Sequence, residues 1–333
     1  MTYDVAGLGN ALMDALVVLD DAAIISELGL VRGTMHPYDH AGWQRVYERV
    51  RTLGVVFDSG GSAANTCATV GRLGGRAIYC GQVGDDQMGQ LYASLLVRAC
   101  GSHALRISPD APTGKVLSLI SSRDAERTMI TDLGAAVRLS ELGSYANELR
   151  RTRIAHFEGY TLLDGPMRQI VLEAMEVAHA AGGRVSLDVS DPFVVAQVRD
   201  LLITIAERWV DVLFLNAAEA RMFEPRLDPE DACARVAATL GVRTVALKLG
   251  AQGSVVSDNG ELVHVDAVPV HAIDTTGAGD AYAGGYLFAL ARGWPAARCG
   301  KLASAVAALA VAQIGAVVKD AEKLHAAVRA AER

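Results

Sequence analysis

A glycine-rich segment around residue 277 combines a carboxylate with an expected helix start. The run Asp274-Thr275-Thr276-Gly277-Ala278-Gly279-Asp280 precedes a largely apolar stretch, Ala281–Leu290, which predicts a helix. Free backbone N–H groups at a helix start form an anion site, and glycines allow a phosphate to approach the backbone closely. Asp280 could accept a proton from an attacking hydroxyl while those amides stabilise charge on a transferring phosphoryl group. The alternative is a glycine-rich turn in which Asp280 only favours the helix dipole.

The composition predicts a folded protein with a sizeable core and no nucleic-acid partner. Of the 333 residues, 51% are hydrophobic and 21% are charged, which argues against disorder. The formal net charge is −7 and no basic block occurs, so nucleic acid is not an expected ligand. A negative net charge still permits an anionic ligand if the local site supplies positive potential.

The sequence shows no feature of secretion or membrane insertion. Residues 1–10 contain no basic region followed by an apolar one, so no signal peptide is expected. The most apolar long stretch, Leu302–Val318, is interrupted by Ser304 and Gln313 and predicts a buried helix rather than a membrane span. The five cysteines are widely spaced without a CxxC pair, which predicts reduced thiols rather than zinc ligands or disulfides. Together these features predict a cytoplasmic protein.

Short apolar stretches alternate with helix-like stretches along most of the chain. The expected strands are Val5–Gly9, Arg76–Gln82, Ile154–Phe157, Val185–Val189, Val212–Leu215 and Thr244–Leu249. Helices are expected over Met88–Cys100 and over Pro166–Ala180, where Pro166 suits the first turn. Short strands separated by helices predict βαβ units and a mostly parallel sheet that is covered on both faces.

Two regions interrupt this alternation and predict a second, smaller sheet. Ala15–Leu19 follows the first strand without room for a crossover helix. Lys115–Ile120 and Thr128–Asp132 flank a polar turn and predict an antiparallel hairpin. Strands from these two regions could pair with each other and cover one edge of the main sheet. We therefore expect a single domain over 1–333, with lid segments at about 11–60 and 106–133.

The motifs of the chain resemble those of the ribokinase-like (PfkB) family of sugar and nucleoside kinases. The segment 274–280 is similar to the C-terminal signature of that family. Gly60-Gly61-Ser62-Ala63-Ala64-Asn65 resembles its double-glycine signature, and Gly84-Asp85-Asp86 its GxDxxG-type loop. Asn216-Ala217-Ala218-Glu219 resembles its NxxE motif, and Lys248-Leu249-Gly250 its nucleotide-binding strand and turn. The resemblance implies a three-layer α/β/α sandwich with a mostly parallel central sheet and a small β-sheet lid over the substrate.

The resemblance also implies which residues bind and react. Asp280 would be the catalytic base, and Gly277, Ala278 and Gly279 would form the anion hole. The residues that would contact ATP and its Mg²⁺, the ion largely through water, are Asn216, Glu219, Lys248, Gly250 and Gly253. The residues that would surround a monovalent cation such as K⁺ are Asp274, Thr276, Ala310, Gln313 and Gly315. The spacing of Asn216 and Glu219 also predicts a capping box at a helix start, and the two roles are compatible.

A closer resemblance, to the adenosine kinase branch, narrows the expected acceptor. The stretches that carry it are 9–17, 126–128, 133–135 and 158–160. Asp14 can accept hydrogen bonds from two vicinal sugar hydroxyls, and Asn65 and the Gly61 backbone could hold the same ring from the other side. The branch implies a nucleoside base near Asn10 and an Arg127 that closes onto the phosphate region. The alternative for Asp14 and Arg127 is an ordinary solvated loop pair.

The sequence disfavours two other functions and leaves two others open. Gly7-Leu8-Gly9 begins a GxGxxG dinucleotide fingerprint, but Leu12 replaces the third glycine and the next segment is strand-like. No GxxxxGK[ST] loop occurs, which disfavours a P-loop kinase. A sugar kinase acting on ribose, fructose or a related sugar and a catalytically silent nucleoside-binding regulator both stay open. The choice between a monomer and a homodimer also stays open.

Overall fold

The computed structural model describes residues 1–21 and 23–333 and contains two β-sheets. The strands in chain order are β1 (Tyr3–Leu8), β2 (Leu12–Leu19), β3 (Met35–Pro37), β4 (Val56–Gly60), β5 (Ala77–Gly84), β6 (His103–Ser108), β7 (Gly114–Ser121), β8 (Arg127–Asp132), β9 (Thr152–Glu158), β10 (Arg184–Asp188), β11 (Val210–Asn216), β12 (Thr244–Lys248), β13 (Ser254–Asp258) and β14 (Glu261–Val265). The α-helices are α1 (Ala23–Glu27), α2 (His40–Val50), α3 (Ser62–Arg72), α4 (Gln87–Cys100), α5 (Tyr145–Arg150), α6 (Gly165–Ala180), α7 (Pro192–Trp209), α8 (Ala217–Phe223), α9 (Pro229–Leu240), α10 (Ala278–Ala291), α11 (Ala296–Val311) and α12 (Ala321–Glu332).

The main sheet has nine strands in the order β14-β13-β12-β11-β10-β9-β1-β5-β6. Every neighbouring pair from β12 to β6 is parallel, and β13 and β14 add an antiparallel hairpin at one edge. All six strands expected from the alternation occur in this sheet. The prediction of a mostly parallel sheet is therefore confirmed.

Helices cover both faces of the main sheet, as its apolar strands require. Helices α5 to α9 pack with one face around residues such as Phe157 and Leu187. Helices α3, α4, α10, α11 and α12 pack with the other face around residues such as Tyr79 and Phe214. The fold is thus the predicted three-layer α/β/α sandwich.

A second sheet of five strands, called here the small sheet, has the order β3-β8-β7-β2-β4. The central strand β7 pairs in parallel with β2, whereas β7 with β8 and β2 with β4 pair antiparallel. Helix α2 packs on one face through Trp43 and Val46, which share one apolar core with Ala15 and Val17 of β2. Because side chains alternate along a strand, Asp14 and Leu16 belong to the opposite face.

The prediction of a buried helix over Leu302–Val318 is wrong for the second half of that range. Helix α11 ends at Val311, and the following residues form irregular turns. The carbonyl of Val311 accepts hydrogen bonds from the amides of Ile273 and Asp274, and the buried Asp274 carboxylate accepts one from Gly315 N. These long-range bonds end the helix although the local composition is apolar. The described helices include none long and apolar enough to cross a membrane.

Candidate active site

The carboxyl ends of neighbouring parallel strands bring polar side chains to one edge of the main sheet. Asn10 follows β1, Glu158 and Asp188 end β9 and β10, and Asn216 and Lys248 end β11 and β12. Open α/β sheets bind their ligands at this edge. Sheet order, rather than sequence distance, makes these five residues neighbours.

The glycine-rich segment forms the N-terminal end of α10, as its composition predicts. Gly277 is the N-cap with φ of 68°, and a Cβ there would lie 2.2 Å from the Ala316 Cβ, so only glycine fits. A Cβ on Gly279 would find only Lys248 within 4 Å among the described residues, with Nζ at 3.1 Å. The helix tip is therefore open next to one ammonium group.

Asp280 lies in the first turn of α10 and is fixed by two donors from α3. Ser62 Oγ donates to Asp280 Oδ1 at 2.7 Å, and Asn65 Nδ2 donates to Oδ2 at 2.9 Å. Burial raises the pKa of Asp280, and these two hydrogen bonds oppose the rise. A raised pKa favours proton acceptance, and the two bonds fix the carboxylate beside the open helix tip. Sequence reasoning gave Ser62 no role, although it follows the glycine pair of a recognised motif.

Asp14 lies on β2 directly opposite Asp58 of β4. Burial and the charge of Asp58 raise the pKa of Asp14 to about 8, while Arg127 acts to lower it. A Cβ on Gly60 would lie 2.3 Å from the Asp14 carboxyl group, which explains the glycine at that position. No hydrogen bond to this carboxylate occurs among the described residues, so its oxygens can accept donors from a ligand.

Two buried amide oxygens have no hydrogen-bond partner within residues 1–21 and 23–333: Asn10 Oδ1 and Asn65 Oδ1. Buried polar atoms without partners are uncommon in folded proteins. The carbonyl of Asn10 also approaches Gly61 so closely that a Cβ there would lie 2.1 Å away. The structure thus brings Asn10, Gly61 and Asn65 together beside Asp280, with acceptors suited to the hydroxyl groups of a small molecule.

Glu158 connects the two backbone segments that carry these amides. Its Oε1 accepts from Asn10 N at 2.9 Å and its Oε2 from Ala63 N at 2.7 Å. Burial raises the pKa of Glu158 to about 7, and the two backbone bonds oppose the rise. The sequence motif containing Glu158 was recognised, but this structural role was missed.

Asn216 and Glu219 form the predicted capping box at the start of α8. Asn216 Oδ1 accepts from the amides of Ala218 and Glu219, and Glu219 Oε2 accepts from Asn216 N at 2.8 Å. Burial raises the pKa of Glu219 to about 7, with Lys248 acting against the rise.

Lys248 Nζ donates to Asp188 Oδ2 at 2.7 Å. The charges of Asp188, Glu219 and Asp280 all act on this lysine, so three carboxylates share one ammonium group.

Such a surplus of carboxylates suits a divalent cation. The described residues contain no cluster of three or more His, Cys, Asp or Glu able to hold a metal directly. Mg²⁺ fits this site as an ion held through water and phosphate oxygens, as it usually is. Sequence reasoning missed Asp188, whose signal was its place at the end of a parallel strand.

Gly250 and Gly253 form the turn between β12 and β13, next to Lys248. Their φ values are 61° and 87°, and a Cβ on Gly253 would lie 2.0 Å from the Val265 carbonyl oxygen. Gly253 is buried against that carbonyl, so the turn has no room for a side chain there, whereas Gly250 is exposed.

Two of the residues predicted to hold a monovalent cation, Thr276 and Gly315, contact the Asp274 carboxylate. Asp274 is fully buried and accepts from Thr276 N at 2.8 Å and from Gly315 N at 2.9 Å. Gln313 N donates to the Ala310 carbonyl at the end of α11. No Lys or Arg pairs with Asp274 among the described residues. A buried carboxylate without a cationic side chain fits a bound monovalent cation.

Comparisons with known proteins agree with this geometry. The family model described as "pfkB family carbohydrate kinase" matches residues 38–323. The solved structure of adenosine kinase from Sinorhizobium meliloti is 33% identical, with a TM-score of 0.89 over 99% of this chain and 100% of that one. A probable sugar kinase from Rhizobium etli is 30% identical, with a TM-score of 0.90 over 99% and 98% of the two chains.

A curated relative also matches over most of its length. The 5-dehydro-2-deoxygluconokinase of Geobacillus thermodenitrificans is 27% identical over 76% of this chain and 78% of its own. The family match spans most of the chain, and its solved neighbours include both a nucleoside kinase and a probable sugar kinase. This chain therefore belongs to the ribokinase-like pfkB family and is a sugar or nucleoside kinase.

Proposed function

We propose that this protein transfers the γ-phosphoryl group of ATP to a primary hydroxyl of a nucleoside, with adenosine as substrate and AMP as product. The observation that carries the proposal is Asp280, held by Ser62 and Asn65 at an open glycine-rich helix tip. A base and an anion site in one turn are what in-line phosphoryl transfer to an alcohol needs.

Each group of residues has a defined task in this reaction. Asp14 and the amide oxygens of Asn10 and Asn65 accept hydrogen bonds from the ribose hydroxyls, and Glu158 holds the backbone that carries them. Asp280 takes the proton from the attacking hydroxyl, and the amides from Gly277 to Gly279 stabilise charge on the phosphoryl oxygens. When bound, Mg²⁺ supplies positive charge to the phosphates, and Asn216 and Glu219 are suited to hold its water ligands.

The small sheet is proposed as a lid over the acceptor. It carries Asp14 and Arg127, and the guanidinium of Arg127 makes no ion pair or hydrogen bond to a side chain within the described part of the chain. An unpaired arginine near a phosphate site can neutralise phosphate charge when the site closes. Closure would also exclude water, which limits hydrolysis of ATP.

A nucleoside is favoured over a free sugar by the 33% identity to an adenosine kinase over the full length of both chains. A sugar kinase is the second candidate, because a probable sugar kinase is 30% identical over a similar length. The substrate panel should therefore contain both classes.

Purified protein with Mg-ATP should be offered adenosine, inosine, cytidine, ribose, fructose and 5-dehydro-2-deoxygluconate, with ADP release measured for each. The proposal expects the highest kcat/KM with adenosine and formation of AMP. A preference for one of the sugars would make that sugar, rather than a nucleoside, the proposed acceptor, and the protein would still be a kinase. Nucleoside binding without ADP release for any acceptor would refute the enzymatic function and favour a regulator.

A further inference from the structure

Lys248 supplies the positive charge nearest to the glycine-rich tip. Its side chain starts at the carboxyl end of β12 and is 16% exposed, so it reaches the site from within the protein. Apart from the chain neighbours of Gly279 and the backbone of its own helix, the only atoms of the described residues within 4 Å of a Cβ built on Gly279 are Nζ and Cε of this lysine. The ammonium group therefore borders the space where a phosphoryl group would meet the amides of the tip.

The surroundings keep this ammonium group charged. Burial acts to lower the pKa of Lys248, but the charges of Asp188 and Glu219 outweigh it and the pKa is raised. A charged amine in such a place is a fixed electrostatic group and cannot act as a base.

The hydrogen bonding of Lys248 is incomplete. An ammonium group has three N–H donors, and the described residues supply one acceptor, Asp188 Oδ2 at 2.7 Å. Asp188 is itself fixed, because its other oxygen accepts from Ser190 N at 3.0 Å. The carboxylate thus holds the ammonium in place while two donors stay available for a ligand.

We propose that Lys248 is a catalytic residue that contacts the transferring phosphoryl group, and that Asp188 is the positioning residue that holds its ammonium beside Gly279. This inference rests on the proposed phosphotransfer. In the step, a bond forms between the acceptor oxygen and phosphorus, and the bond from phosphorus to the bridging oxygen of the donor breaks. The electron pair stays on the leaving phosphate, the acceptor proton goes to Asp280, and Lys248 stays protonated throughout.

The effect of the charge should be larger in the transition state than in the ground state. Three oxygens of the phosphoryl group share negative charge as it transfers, and donors fixed before the reaction stabilise this charge without reorganising. Loss of one such donor in other enzymes lowers kcat by about 10²–10³. We expect a loss of that order for Lys248→Met, with a change of KM for the acceptor below about threefold.

The test compares Lys248→Met with the charge-retaining Lys248→Arg. Steady-state kcat and KM are measured with the best acceptor, together with the affinities for ADP alone and for ADP with aluminium fluoride, a mimic of the transferring phosphoryl group. We expect Lys248→Met to lose about 10²-fold in kcat and in affinity for the mimic, but to keep its affinity for ADP within about threefold. Lys248→Arg should recover part of the lost kcat. Equal losses for ADP and for the mimic would limit Lys248 to binding the nucleotide in the ground state and overturn the proposal.

A double variant removes the risk that Lys248→Met only leaves a buried carboxylate unpaired. Lys248→Met combined with Asp188→Asn removes both charges, which relieves that penalty. The proposal expects the melting temperature to recover in the double variant while kcat stays low. Recovery of both quantities would show that the pair only stabilises the fold.

The wild-type substrate panel separates this inference from the proposed function. A wild type without turnover for any acceptor overturns both. A wild type with turnover together with an unchanged kcat in Lys248→Met overturns the role of Lys248 alone.

Discussion

We expect the Asp14 carboxylate to lower the stability of the folded protein, although the same group is proposed to bind the substrate. It is buried opposite Asp58, and no described residue donates a hydrogen bond to it. Its pKa is raised to about 8, so the folded protein holds the proton more tightly than the unfolded chain does. Stability from this group is therefore fully present below about pH 4 and is lost as the pH rises through about 8. Asp14→Asn removes the charge and with it this loss.

The size of the effect follows from the two pKa values. Each tenfold change in proton affinity corresponds to about 1.4 kcal/mol, so a rise of the pKa from 3.8 to about 8 sets a ceiling of about 6 kcal/mol above pH 8. Water that reaches the carboxylate reduces this value. We therefore expect the free energy of unfolding of Asp14→Asn to exceed that of the wild type by about 2 kcal/mol at pH 8, which corresponds to about 4 °C in melting temperature. The same variant should raise KM for the acceptor by about tenfold or more, because it loses charge-assisted hydrogen bonds.

Thermal melting of the ligand-free protein at pH 5 and pH 8 tests this reasoning, with acceptor KM measured in parallel. The matched control is Asp86→Asn. Burial acts to raise the pKa of Asp86, but hydrogen bonds from Thr113 and Gly89 outweigh it and lower the pKa. Asp86→Asn should therefore lose stability above pH 4, opposite in sign to Asp14→Asn. Two results would refute the proposed role of the Asp14 charge. One is an Asp14→Asn protein that is no more stable than the wild type at pH 8, and the other is a stability gain at pH 5 as large as that at pH 8.

Three further outcomes are expected. Gly277→Ala should lower kcat at least tenfold and reduce the melting temperature. The added Cβ would lie 2.2 Å from the Ala316 Cβ, and the φ of 68° at this position favours glycine. Wild-type values of both kcat and melting temperature would contradict the geometry of the tip. Titration with K⁺ should raise the rate, because Asp274 is buried without a cationic side chain among the described residues, and a rate independent of K⁺ would remove the proposed ion. ADP release without acceptor should be below about 1% of the rate with acceptor if the small sheet excludes water; comparable rates would argue against a closing lid.

Most of the fold could be predicted because its signals are local. The apolar stretches of β1, β5 and β9 to β12 are separated by helices, which is the pattern of βαβ units. The turn between β7 and β8 is also a local signal, and these two strands form the predicted hairpin. The glycine-rich segment likewise predicted the start of α10, because the conformation that Gly277 adopts there is a local property of the backbone.

The rest of the site depends on contacts between distant parts of the chain. Asp188 and Lys248 are 60 residues apart, and they meet because β11 lies between β10 and β12 in the sheet. Asp58 faces Asp14 only through the pairing of β2 with β4. The end of α11 at Val311 likewise depends on bonds to Ile273 and Asp274, which the apolar sequence of that helix does not indicate.

The turnover of Asp280→Asn with Mg-ATP and the best acceptor tests most directly whether Asp280 is the catalytic base. This variant keeps the shape of the side chain and an oxygen that can accept from Ser62, but it removes the proton acceptor. We predict that kcat falls by about 10²–10⁴, with smaller changes in nucleotide and acceptor binding. A kcat near that of the wild type, in a variant with an unchanged melting temperature, would contradict the assignment of Asp280 as the base.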